Sequence, residues 1–244
     1  MENRNSNYVY ENVIQINEAD ASRKFLANVF LWMFVGLGIS TLAAYAFANT
    51  PSLLQLLVDD STHQLTIFAY LAMFSPLAFV LLIRLGLNSI PYPVLGLLFI
   101  AFSALMGISL SFILLIYTAG SIISVLLTAS ILFGVMAIAG YTTHQDLTKF
   151  GFIMIMLLIG IIIASLVNSF LLHSSGLDLI ISYVGVAVFI GLTAYDVQKL
   201  KRIGAGLEYG DASAKKYALM GGMTLYLDFI NLFLMLLRIF GRRR

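Results

Sequence analysis

Residues 224–240 read TLYLDFINLFLMLLRIF. The run is apolar enough to form the body of a membrane-spanning helix, yet it carries Asp228 and Asn231 near its middle. A carboxylate at the centre of a lipid-facing helix costs roughly 2.5–3.5 kcal/mol on insertion scales, so such a residue faces a partner or a water-filled cavity. Two expectations follow: the chain folds within a bilayer, and this helix belongs to the interior of a bundle.

The rest of the chain agrees with the first expectation. Of 244 residues, 60% are hydrophobic and 11% charged, against about 25% charged in an average soluble domain. Mean hydropathy is +0.96. The chain has no cysteine, which excludes a disulfide framework, thiolate metal ligands and a cysteine nucleophile. A net charge of +2 gives no basis for nucleic-acid binding.

Seven apolar segments are long enough to cross a bilayer: Phe25 to Ala48, Leu65 to Ile83, Val94 to Tyr117, Ile122 to Tyr141, Phe152 to Leu172, Leu179 to Leu200 and Tyr217 to Phe240. The sequence therefore predicts an all-α, multi-pass membrane protein. A polar N-terminal tail spans 1–24, a seven-helix domain 25–240 and a basic tail 241–244. The N-terminal tail is too mixed in charge for a signal peptide and is expected to be retained. With the N-terminus in the cytoplasm, the inner segments hold Arg4, Arg23, Lys24, Arg84, Lys149, Lys199, Lys201, Arg202, Lys215 and Lys216. The first three outer loops hold no Lys or Arg, only Asp59, Asp60, Asp178, His63 and His173, as the positive-inside rule requires. Arg238 and the terminal GRRR conflict with that rule. Either the last segment crosses against it, or it is bent and returns to the cytoplasm.

In the last segment Gly221, Thr224, Asp228, Asn231 and Arg238 recur at helical spacing and share one face. Small and polar residues of this kind commonly glue membrane helices together, but an ionisable group inside a span points to function. Asp196, in FIGLTAYDVQKLKR at 189–202, is the natural partner. At 1.5 Å per residue it lies roughly 10 Å from the inner end of its helix and Asp228 about 16 Å from the same side. Segments joined by a short connection tend to be neighbours, so the carboxyls are placed to meet. The competing role for Asp196 is an i+3 pairing with Lys199. Two close buried carboxyls tend to share a proton and titrate as a pair, giving a pH-dependent latch. Arg84 ends the second segment in the same leaflet, as either a gate latch or an interfacial anchor.

The stretches GLTAYDVQKLK (191–201), LYLDFINLFLMLLRIFG (225–241), LIGIIIASLVNSFL (158–171) and GYTTHQDLTKFG (140–151) closely resemble the Bax inhibitor-1 family, also called transmembrane Bax inhibitor motif proteins, in its bacterial YccA-like branch. The resemblance spans the chain and is strongest after Tyr141. It implies seven helices with the last wrapped by the other six, a bacterial inner-membrane location, and a pH-sensitive calcium leak. It further implies that Asp196 and Asp228 are the family's paired aspartates. Arg84, in LLIRLGLN at 81–88, falls by position where the family has a latching arginine. Calcium is then the transported ion, bound weakly by Asp196 and Asp228 because a tight site needs 6–8 oxygens. Thr224 and Asn231 are expected along the path or as helix glue. The expected contacts are lipid, calcium and protons, without a cofactor.

Other classes are weaker. No lysine lies deep in a span for a retinal Schiff base, and no histidine lies in a span to serve as the base of a serine protease. A diaspartyl intramembrane protease would fit AYD at 194–196, but LYLD at 225–228 lacks the glycine pair before the aspartate. The reading is therefore not an enzyme. The main alternative is a regulatory protein that binds and restrains a membrane-anchored protease, as YccA-like relatives are associated with doing, through its polar tail. Pro76 is a candidate hinge, and HQD at 144–146 a cytoplasmic turn with Asp146 and Thr148 near a helix cap.

Overall fold

A computed structural model of the protein describes residues 18–59, 64–87, 89–207 and 212–244. The elements run α1 (Glu18–Asn49), a short α2 (Pro51–Leu54), α3 (Ile67–Gly86), α4 (Tyr92–Ile116), α5 (Ala119–Thr142), α6 (Thr148–Val167), α7 (Ser175–Ala205) and α8 (Ala212–Phe240). A π-helical turn, Asn168–Leu172, continues α6. All but α2 are long and apolar enough to cross a membrane, seven in all. The N-terminal residues 1–17 and the loop residues Asp60 and His63 lie outside the described residues.

Two of the helices, α3 and α7, open on side-chain caps. Thr66 accepts the amide of Ala69 at 3.2 Å and opens α3. Ser174 accepts that of Leu177 at 3.3 Å and opens α7. Pro76 sits inside α3 without ending it. The proline has no amide to give to the Ala72 carbonyl, and Ser109 of α4 donates its hydroxyl there instead, at 2.8 Å. The Asn168 side chain closes the π turn by donating to the Ser174 carbonyl at 3.0 Å and to Asp178 at 2.8 Å, while its own carbonyl accepts the Ser174 amide. His173 follows in the left-handed region at φ 49°.

α8 is the central helix and packs mainly against α1, α4, α5 and α7. Of its most apolar stretch 56% is buried, against 11% for the span that includes α6. The other two spans stand further out, α3 against α4 and α6 against α7, so four helices rather than six carry the main packing around α8. Leu71, Phe74, Ile131, Ile138, Ile159 and Ile163 point outward, as a lipid-facing surface requires.

The ends of the bundle are fixed by contacts. The start of α1 meets the end of α7, where Ser22 donates to the Lys201 carbonyl at 3.1 Å. At the opposite end, the chain after α8 pairs with the α4–α5 connection: the Thr118 amide donates to the Arg242 carbonyl at 3.0 Å and the Arg244 amide to the Ile116 carbonyl at 2.9 Å. α8 is thus an unbroken crossing rather than a re-entrant element, and GRRR lies at the end of the bundle opposite the start of α1.

Candidate functional site

The rotation of α7 at the site is set by two glycines on its neighbours. A Cβ at Gly140 of α5 would collide with the carbonyl of Ala194, and one at Gly151 of α6 with the ring of Tyr195. Ala194 and Tyr195 are therefore claimed by α5 and α6, and the next residue, about 100° further round the helix, is Asp196. α8 is oriented likewise. Tyr226 packs edge-on to Phe102 of α4 with ring centroids 5.5 Å apart, and Phe229 packs on Phe133 of α5 at 5.5 Å. Asp228 lies between them along the chain.

The outcome is that Asp196 and Asp228 come within hydrogen-bonding reach of each other. Asp228 is 6% exposed and Asp196 half-buried. Two carboxylates supply no proton to bond, and the Oδ2 of Asp228 is buried without a hydrogen-bond partner. Leaving such an oxygen unsatisfied costs on the order of 1–3 kcal/mol, so the site favours a proton between the carboxyls, or a cation or water beside them.

Arg84, exposed in the last turn of α3, acts electrostatically on both carboxyls without closing an ion pair to either. Lys199 acts on Asp196 from the same helix, but its ammonium lies 5.9 Å from the centroid of the Tyr195 ring and forms no ion pair with that carboxyl. Thr224 donates to the Met220 carbonyl at 3.1 Å and Asn231 to the Leu227 carbonyl at 2.8 Å, so both return a donor to their own helix. Among the described residues no three of His, Cys, Asp and Glu cluster as a metal cage.

Two further hydrogen-bond networks flank the site, and of their members the sequence marks only Asp146 and Thr148, as the turn before α6. At the inner end, the buried Gln198 straps the α5–α6 turn to α7, donating to the Gln145 carbonyl at 2.7 Å and accepting the Leu147 amide at 2.9 Å. In the same turn Asp146 accepts from the Thr148 amide and hydroxyl and from Arg202, at 2.9, 2.6 and 2.9 Å. These bonds, those of Thr148 foremost, hold its carboxyl below the usual range, at about 2. Deeper in the bundle, Ser40 of α1 donates to the Ser103 carbonyl of α4 at 2.7 Å, and its oxygen lies 2.7 Å from the hydroxyl of Tyr226.

A seven-span helical bundle whose central helix brings a buried carboxyl to a half-buried one on its neighbour defines a class of polytopic membrane protein. Residues 22–244 match the family model described as inhibitor of apoptosis-promoting Bax1. The chain is 44% identical over 221 residues to inner membrane protein YbhL of Escherichia coli K12, covering 90% of this chain and 92% of that one. It is 44% identical over 223 residues to an uncharacterised protein of Borreliella burgdorferi, covering 91% and 93%. With protein RP147 of Rickettsia prowazekii it shares 38% over 222 residues, 91% of each chain. The chain belongs to the Bax inhibitor-1 family and is a multi-pass integral membrane protein.

Proposed function

We propose that the protein provides a pH-sensitive calcium leak across the membrane, with Asp196 and Asp228 as its titrating pair. The observation that carries this reading is the buried, unsatisfied Oδ2 of Asp228 facing a second carboxyl. A pair with a spare oxygen takes up a proton or a divalent cation in exchange. Two carboxylates fall far short of the 6–8 oxygens of a tight calcium site, which suits a permeation site that the ion must also leave. Thr224 and Asn231 would line the path, their oxygens assisting the passing ion. Arg84 would latch its inner mouth: negative charge on the pair attracts the guanidinium, and each added proton weakens that attraction. Leak therefore increases as the pH falls. The reading involves no catalytic step.

Calcium flux into proteoliposomes, measured as a function of pH, tests it. The wild type should show a pH-dependent leak that is lost, or loses its pH dependence, in the variant carrying both Asp196→Asn and Asp228→Asn. Unchanged, still pH-dependent flux in that variant would overturn the reading. No leak in the wild type at any pH would favour the restraint of a membrane-anchored protease instead, a role that rests on the polar tail.

A further inference from the structure

By the positive-inside rule the end of the bundle bearing the start of α1 is cytoplasmic, so Arg238, Arg242, Arg243 and Arg244 lie at the opposite face. Among the described residues none of the four makes an ion pair. The tail that carries three of them is nevertheless built into the fold. The Arg242 amide donates to the Ser121 hydroxyl at 2.9 Å, and Arg243 forms an antiparallel bridge with Tyr117.

Between this tail and α5 lies a cleft of about 530 Å³, lined by Thr118, Ser121, Ser124, Thr128, Phe240 and Arg242. Its mouth is electropositive from two sources. Arg242 is exposed there, and the first turn of α5 presents amides that helix geometry leaves without intrahelical partners, with no side-chain cap from Thr118. Further down, Ser124 and Thr128 donate their hydroxyls to the Gly120 and Ser124 carbonyls at 2.8 and 2.9 Å, which lets them face lipid without an unmet donor. Thr128 lies ten residues beyond Thr118, roughly 15 Å along the helix and so well below headgroup level. The apolar side chains lining the cleft are Val125, about one turn beyond Ser121, and Phe240, 61% exposed at the end of α8 beside the mouth.

We propose that this cleft binds an anionic phospholipid of the outer leaflet, its phosphate held at the mouth by Arg242 and the opening amides of α5 and its acyl chain laid along Phe240. The charge supplies what the four arginines lack, and the apolar wall suits a lipid rather than a free phosphate. The site lies at the opposite end of the bundle from Arg84 and does not depend on the calcium reading.

Native mass spectrometry of the full-length protein in mild detergent, with phosphatidylglycerol and phosphatidylcholine of matched acyl chains, tests the proposal. The wild type should prefer phosphatidylglycerol, and Arg242→Gln should weaken its binding about fivefold. Lys149→Gln, at the other end, should leave it unchanged. Gly120→Asp gives an independent reading: its Cβ meets open space and an acidic residue suits a helix start, so the fold is kept while the anionic lipid is repelled. Equal binding of the two lipids, or an undiminished preference in Arg242→Gln and Gly120→Asp, would overturn the proposal. Displacement of the lipid by inorganic phosphate at millimolar level would also overturn it, reassigning the mouth to a free anion.

Discussion

Replacing Ser40 should destabilise the protein more than removing the Tyr226 hydroxyl, although both changes break the same 2.7 Å contact. The Ser40 hydroxyl donates to the Ser103 carbonyl at 2.7 Å and also lies 3.0 Å from the Gly36 carbonyl, so the proton between Ser40 and Tyr226 comes from Tyr226. In Tyr226→Phe the serine keeps its acceptor and nothing buried is orphaned. The loss is that of one hydrogen bond, about 0.6–1.5 kcal/mol. In Ser40→Ala the Tyr226 hydroxyl, fully buried among Phe99, Phe102 and α1, is left with a proton and no partner. That orphan costs about 1–3 kcal/mol. Removing both partners leaves no orphan, so the double variant should be more stable than Ser40→Ala alone. Reversible unfolding in mixed detergent micelles, run as a double-mutant cycle, reads all three values. If Tyr226→Phe were the more damaging single change, or if the two losses simply added, the assignment of donor and acceptor would be wrong.

Further outcomes follow from the packing and the turns. Gly140→Ala drives a Cβ into the Ala194 carbonyl and should cost about 1–3 kcal/mol, whereas Gly134→Ala, on the same helix and facing open space, should shift stability by less than about 1 kcal/mol in the same unfolding assay. Ser109→Ala removes the shorter of two hydroxyl bonds to the Ala72 carbonyl opposite Pro76, leaving that from Ser75 at 3.4 Å, and a loss of at most about 1 kcal/mol is expected in that assay. Asp146 has its carboxyl lowered to about 2 by its hydrogen bonds from Thr148 and Arg202, so their contribution is present above the ordinary carboxylate range and lost only as the pH falls through about 2. It does not titrate between about pH 5 and 8, and Asp146→Asn should leave the pH profile of calcium flux unshifted.

The seven spans were legible because bilayer thickness imposes a length and an apolar content that no single residue can disguise. Their limits were less so. α1 starts at Glu18 rather than Phe25, since Asp20, Ser22 and Arg23 are polar enough to look like tail. In the fold, Ser22 bonds to the end of α7 and Phe25 packs on Gly204, so the helix extends beyond its apolar part. α2, the π turn and the pairing of the tail with the α4–α5 connection depend on bonds between distant or irregular backbone and leave no periodic trace. Of the site, Asp196 and Asp228 stood out because charge inside a span is rare, and spacing placed them at similar depth. Whether they met was not readable, because the rotation of α7 is set by Gly140 and Gly151, glycines that resemble many others in the chain. Ser40 and Gln198 escaped for a related reason: an isolated hydroxyl or amide in a helix gains meaning only from a partner far away in sequence.

The central claim is that the two aspartates act as one titrating unit, and comparing the single and double neutralisations in the flux assay tests it most directly. If Asp196 and Asp228 share a proton, the carboxyl left in Asp196→Asn or in Asp228→Asn titrates alone, so each single variant should move the pH midpoint of calcium flux and only the double variant should abolish its pH dependence. If the midpoint instead stayed at its wild-type value in both single variants, or the double variant kept the full response, the carboxyls would be titrating separately or not at all, and the pair would be only a structural contact.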